Sequence, residues 1–450
     1  MNYLDALSQT MAQLRYAQLP PDVQEQTGWI LADTVAAMAA GSAEPELAAL
    51  ARQQISHPGA TLVGLGRQGT AEAAAFINGT AGTFLEMDEG NRFSRGHPAI
   101  HVIPAALALC ESRGLGAEDF LAALVAGYET GSRLGAASQL RDSMHPHGTW
   151  GTLGAAAACA RATGVSWQDM RECINLASSL SIATSKQTML DGGLVRNTYA
   201  GLSNRQGLLA LDLLHAGFNG EKDGPASLLG RVVSEQFQPD EVLRDLGQDW
   251  HLMHNYFKLH SCCRYNHGTL DAMDELDARE GLPQAEAIES IEVTTYHLAV
   301  ELDNPAPDNT LAAKFSVPFA VATRIVQGSS ALKSFTREAL QHPETRALAQ
   351  KVRLIHDPAM SARLPMERPA RVVLHLKDGR RLSAEAGVNR GDDAAPYTRE
   401  ELRGKFMDLT GRIWPRDHGE RLLAATLDLA QLNCSLPDWI ALLGRAPQNA

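Results

Sequence analysis

The chain has 450 residues, 44% of them apolar and 20% charged, which is enough for a large core and for two or three domains. Forty basic against 52 acidic side chains leave a formal charge of −12, arguing against non-specific nucleic-acid or anionic-membrane binding while allowing a local basic pocket. Six cysteines without zinc-type spacing, no apolar run near the roughly 20 residues of a membrane span, and opening residues unlike a secretory signal lead us to expect a soluble, cytoplasmic protein.

Up to about residue 265 the apolar periodicity is helical, predicting helices over 22–41, 70–87, 99–113, 118–134, 151–163, 167–180 and 202–215. Many of these are rich in Ala and Gly, which let helix axes approach closely. After about residue 285 the character changes. Residues 288–302 are rich in β-branched side chains, and 371–386 read as strand, turn and strand, with Asp378-Gly379 as the hairpin signal. Residues 310–327 and 336–352 read as helices, and the helical pattern returns over 399–414 and 419–432. The expectation is a mainly α protein: a large all-helical domain built from residues 1–266 and 395–450, with a smaller α+β lid domain, 267–394, inserted. There is no internal repeat.

Four segments carry residues suited to chemistry. In the first, Asp88, Glu89, Arg92, Arg95, His97 and His101 crowd around Gly90 and Gly96, just before a helix beginning near Pro98. Charged groups on a Gly-hinged loop at a helix N-terminus suit a carboxylate or phosphate; a solvated connector with a helix cap is the plain alternative. His97 and His101 lack the Glu of a metalloprotease pair, so no metal is assigned. The second is Met144 to Thr152, where His145 and His147 precede a Gly-rich helix start and could orient or protonate an anion; surface histidines beside a core Trp150 would look the same. In the third, Arg196 suits a bidentate carboxylate clamp and Tyr199 a proton relay, against an ordinary charged helix start. The fourth holds Lys258, Cys262, Cys263, Arg264 and His267. Adjacent cysteines cannot easily bridge and nothing marks a reactive thiol, so the cations fit better as anion contacts or hinge residues.

Taken in order, these segments resemble the MmgE/PrpD family, which includes 2-methylcitrate dehydratase, cis-aconitate decarboxylase and iminodisuccinate epimerase. The resemblance is carried by Met87-Asp88 followed by Gly96-His97-Pro98, Pro104-Ala105-Ala106-Leu107, Ala126-Gly127-Tyr128-Glu129 and Gly148-x-Trp150-Gly151-Thr152. Ala200-Gly201, Cys263-Arg264 with His267, and Ala313-Lys314-Phe315-Ser316-Val317-Pro318-Phe319 complete it. It implies the fold stated above, a homodimer, no organic cofactor, and a cleft between domains where a bond next to a carboxylate is broken or remade. Carried over residue by residue, it implies His97 and Asp88 as catalytic groups, and Tyr199, standing where the decarboxylases have a histidine, is read as a further acid/base. Arg92, Trp150, Arg196, Lys258, Arg264 and His267 would contact a small carboxylate substrate. The chain departs from the decarboxylases in having Trp150 at a loop histidine position, Arg196 and Tyr199 in place of Lys and His, and Phe319 in place of a pocket tyrosine. The expected function is a lyase of the dehydratase type acting on a small di- or tricarboxylate. An epimerase of an amino-dicarboxylate such as iminodisuccinate, with Tyr199 opposing His97, is the alternative, and an inactive carboxylate-binding protein a third reading.

Overall fold

A computed structural model describes residues 2–54 and 58–448. Met1 and residues 449–450, the outer ends of the expected helical domain, lie outside the described residues. The fold is mainly α. Its helical part is organised around Pro21–Ser42, Ala71–Thr83, Pro98–Arg113, Ala117–Ala136, Trp150–Ala162 and Thr198–His215. Small residues decide how these pack. A Cβ added to Gly127 would lie 2.7 Å from the Gly154 carbonyl oxygen, and one added to Gly79 only 2.8 Å from the Gly201 Cα. Backbone therefore meets backbone where larger side chains would hold the axes apart. Helices Arg399–Thr410 and Arg416–Ala430 pack against Pro21–Ser42, so one apolar core runs from Tyr3 to Phe257 and again from Tyr397 to Leu443.

A second apolar core gathers residues between Met189 and Ala384. Its sheet has four strands in the order Arg381–Ala386, Ala370–Leu376, Ile288–Thr295, Val352–His356; the last pair is parallel and the others antiparallel. Val372, Leu374 and Leu376 alternate inward as a half-covered sheet requires, and helix His267–Glu280 packs over them. Gly379, at φ 88°, closes the hairpin at the expected Asp-Gly turn.

Several boundaries differ from the sequence reading. The helix predicted over 70–87 stops at Thr83, because Glu86 takes a left-handed φ of 55°. The strand expected over 288–302 ends at Thr295. The predicted helix 310–327 is two, Thr310–Lys314 and Val317–Gln327, since Ser316 caps the second through the Phe319 N–H and Pro318 opens it. Residues 336–352 break at Pro343 and run into strand Val352–His356. Among the described residues no helix is long and apolar enough to cross a membrane.

Candidate active site

After Thr83 the backbone is held by three buried side chains. The Ser261 hydroxyl donates to the Leu85 carbonyl (2.9 Å), the Lys258 ammonium to the Glu86 carbonyl (3.1 Å), and the Lys405 ammonium to the Met87 carbonyl (2.6 Å). Lys405 also pairs with buried Asp33. Strand Gly90–Asn91 then pairs with Asn255–Tyr256, and the Asn91 N–H donates to the Gly96 carbonyl at 2.8 Å, folding the loop back on itself. That closure sets His97 Nδ1 2.6 Å from Asp88 Oδ2.

The electrostatics give each partner a state. Burial alone would raise the Asp88 carboxyl, but the hydrogen bond from His97 and the charges of Lys258 at 3.7 Å and Arg196 hold it below the usual carboxylate range. Burial depresses the His97 imidazole despite the pull of Asp88. A neutral ring beside an ionised carboxylate carries its proton on Nδ1, leaving the Nε2 lone pair without a protein partner.

His97 borders a cavity of about 110 Å³. Beside it the rings of His147 and His145 follow at centroid spacings of 4.8 and 4.7 Å, with His101 buried 4.8 Å from His147. Desolvation depresses all of them, His101 to about 3. Arg196 pairs with Glu86, donates from Nε to His145 Nε2 (3.2 Å) and lies over the Phe315 ring at 5.2 Å. From the chain's later half come Arg264, paired to Asp392 at 2.9 Å, and Arg368. Six cations border the cavity (Arg95, Arg141, Lys186, Arg196, Arg264, Arg368) against two carboxylates (Glu86, Asp142), an inversion of the chain's overall charge of −12.

The structure brings together His97, Arg196 and Arg264 at the cavity wall, with Asp88 and Lys258 directly behind His97 and Glu86. The other expected site residues stand elsewhere. Arg92 turns away to Asp393 (2.7 Å), and His267 lies under Arg264, 3.0 Å from its Nη1. Trp150 is fully buried and does not border the cavity. It fills the space beside Gly96, whose added Cβ would meet the indole Cζ2 at 2.5 Å, so it buttresses the loop from the core side. Tyr199 packs edge-on against His145 at 5.6 Å rather than facing His97. Phe319 packs against Phe335 in the second core, its ring tilted by 55°; from that segment it is Phe315 that borders the cavity. Sequence reasoning missed Glu86, Tyr256, Phe315 and Arg368. Phe315 lay inside a motif already singled out and Glu86 just ahead of one, whereas nothing near Arg368 distinguishes it from the chain's many surface arginines. Among the described residues no cluster of His, Cys, Asp or Glu could hold a metal ion.

Two family models match: the MmgE/PrpD N-terminal domain over residues 5–234 and the MmgE/PrpD C-terminal domain over residues 260–431. The chain belongs to the MmgE/PrpD family. It is 25% identical to a cis-aconitate decarboxylase-like protein of Aspergillus oryzae, across 98% of this chain and 97% of that protein. It is 23% identical to a cis-aconitate decarboxylase of Aspergillus terreus (92% and 90% covered), and 25% to the cis-aconitate decarboxylase of Mus musculus (81% and 77%).

Proposed function

We propose that the protein is a lyase of the dehydratase type that acts on a small di- or tricarboxylate, working as a cytoplasmic homodimer. The observation that carries this reading is the His97–Asp88 pair beside a cavity bordered by six cations and two carboxylates. His97 Nε2 takes the proton from a carbon made acidic by its neighbouring carboxylate, while Asp88 stabilises the imidazolium that forms. The cations steady the negative charge that spreads onto the substrate carboxylate. The same imidazolium returns its proton to the departing hydroxyl, which leaves as water as the double bond forms.

Decarboxylation is the second reading, favoured by the names of the relatives. It ends by protonating a carbanion, a task for an acid, whereas burial keeps His97 neutral and poised to accept. Epimerisation needs a second proton-transfer group opposite the first, and Tyr199 is engaged with His145 instead.

The test is turnover in deuterated water with hydroxylated tricarboxylates, cis-aconitate and chiral amino-dicarboxylates. A dehydratase yields alkene and water, a decarboxylase releases carbon dioxide, and an epimerase places one deuteron at an inverted carbon. On the accepted substrate His97→Asn should lower kcat by about 10²–10⁴-fold, the usual contribution of a positioned acid/base. Undiminished turnover would remove His97 from the mechanism. Thermal stabilisation by carboxylates without turnover across the panel would make the protein a binder.

A further inference from the structure

The cations of the cavity are not equivalent. Arg196 is answered by Glu86, Arg264 by Asp392 and Lys186 by Glu301, and Arg95 and Arg141 are exposed to water. Arg368 differs from all of them. Only 5% exposed, it has no carboxylate partner among the described residues. Its Nη1 is buried without a hydrogen-bond acceptor, and its one polar contact is a long 3.5 Å approach of Nη2 to the Arg92 carbonyl. Such a group is costly, because a buried charge needs a counter-charge or acceptors.

The surroundings hold the Arg368 backbone in place. The Arg368 carbonyl accepts from Asn389 Nδ2 at 3.1 Å and lies so near Gly268 that an added Cβ there would sit 2.4 Å away. Its guanidinium carbon lies 5.7 Å from the Tyr256 ring centroid, and that of Arg264 lies 4.5 Å from the same ring. Tyr256 thus carries two guanidinium groups, one neutralised and one not. His97 enters the cavity from the helical portion, and Arg368 from the residues just before strand Ala370–Leu376.

We infer that Arg368 is the specificity-determining anchor for a second carboxylate of the substrate, distinct from the carboxylate beside the carbon that His97 deprotonates. This rests on the carboxylate reading above. It adds which residue holds the carboxylate remote from the reacting carbon: that carboxylate supplies the counter-charge Arg368 lacks. A planar guanidinium with free donors suits a bidentate carboxylate, which an ammonium cannot match.

The test uses the full chain and inert probes at fixed low salt: tricarballylate as the polycarboxylate and butyrate as the monocarboxylate, with affinities measured by calorimetry. The wild type should bind tricarballylate far more tightly than butyrate. Arg368→Met should weaken tricarballylate by about 10–100-fold, the worth of one charge-assisted contact, and leave butyrate nearly unchanged. Arg368→Lys should fall between. On the true substrate the loss should appear mainly in KM. Without ligand, Arg368→Met should melt at the wild-type temperature or above it, because it removes an uncompensated buried charge; an arginine with a structural role would melt lower. Wild-type discrimination kept by Arg368→Met would overturn the role of Arg368 alone. A wild type that binds neither probe would overturn the carboxylate reading itself, and this inference with it.

Discussion

At the scale of single residues, the pair that matters most is separated by only 2.6 Å. Asp88 does two things to His97: it holds the Nδ1 proton, and its charge opposes the desolvation that would otherwise depress the imidazole further. Removing the charge while keeping the shape therefore has a signed consequence. In Asp88→Asn the His97 imidazole should drop further, so the acid limb of the kcat/KM profile moves to lower pH. The rate falls at the same time, by about 10²–10⁴-fold, because the imidazolium loses its stabilising partner. A pH profile of kcat/KM for both proteins checks this. An acid limb that stays put while the rate falls would mean that Asp88 contacts substrate instead of tuning the base. Lys258 is the necessary third member, since Asp88 and Glu86 both lean on it at 3.7 Å inside the protein.

At the scale of elements, glycines in the helices fall into two kinds that composition does not separate. Gly154 faces the Gly127 carbonyl, and an added Cβ would approach that oxygen to 2.8 Å. Gly404, exposed in helix Arg399–Thr410, would meet nothing within 4 Å. Gly154→Ala should cost about 1–3 kcal/mol, as overpacking outweighs the gain in helix propensity. Gly404→Ala should stabilise by up to about 1 kcal/mol. Urea unfolding of the two variants reads both signs, and stabilisation by Gly154→Ala would contradict the backbone contact described between these helices.

The same contrast explains what could be read from the chain and what could not. Helical periodicity, the Asp378-Gly379 hairpin and the closing C-terminal helices are local patterns, so they were visible. The stop at Thr83 was not, because Phe84, Leu85 and Met87 stay buried after the helix has ended and so prolong its apolar pattern. Of the candidate site residues, Asp88, His97 and Arg196 stood out because they lie in dense polar segments, and the fold places them at the cavity wall or directly behind it. Trp150 and Tyr199 were assigned to the cavity because a sequence does not say toward which side a ring points. Arg368 lies 271 positions beyond His97, and only the tertiary fold unites them.

At the scale of the whole molecule, burying so many histidines links stability to pH. His97, His101, His145, His147 and His267 are all depressed, in each case chiefly by desolvation. Unfolded, each would titrate near 6.5. Above that pH neither state binds the proton and these groups leave stability unchanged. Below it the unfolded chain takes up protons that the folded protein refuses, so stability falls with falling pH until the folded group itself titrates. For His101 that window runs from about 6.5 down to about 3, at roughly 1.4 kcal/mol per pH unit for this one residue.

Buried Glu89 acts in the opposite sense. Desolvation pushes its carboxyl up to about 8, so the folded protein holds a proton that the unfolded chain loses near 4.5, and stability declines as pH rises through that interval. Between 4.5 and 6.5 the raised carboxyls of Glu89, Asp33 and Glu129 oppose the depressed imidazoles, His251 at about 3 among them, and the imidazoles outnumber them. Above 6.5 they fall silent, and Glu89 is joined by buried Asp33 and Glu129, whose carboxyls burial also raises, so on these carboxyls stability declines as pH rises further. His101→Leu isolates one imidazole cleanly, because neither His101 ring nitrogen has a hydrogen-bond partner to lose. Denaturant unfolding at intervals from pH 5 to 8 should show a shallower acid slope in the variant, by about one proton, with stability at pH 7 equal to or above that of the wild type. An acid slope identical in the two proteins would mean that His101 is charged, or reached by water, in the folded state.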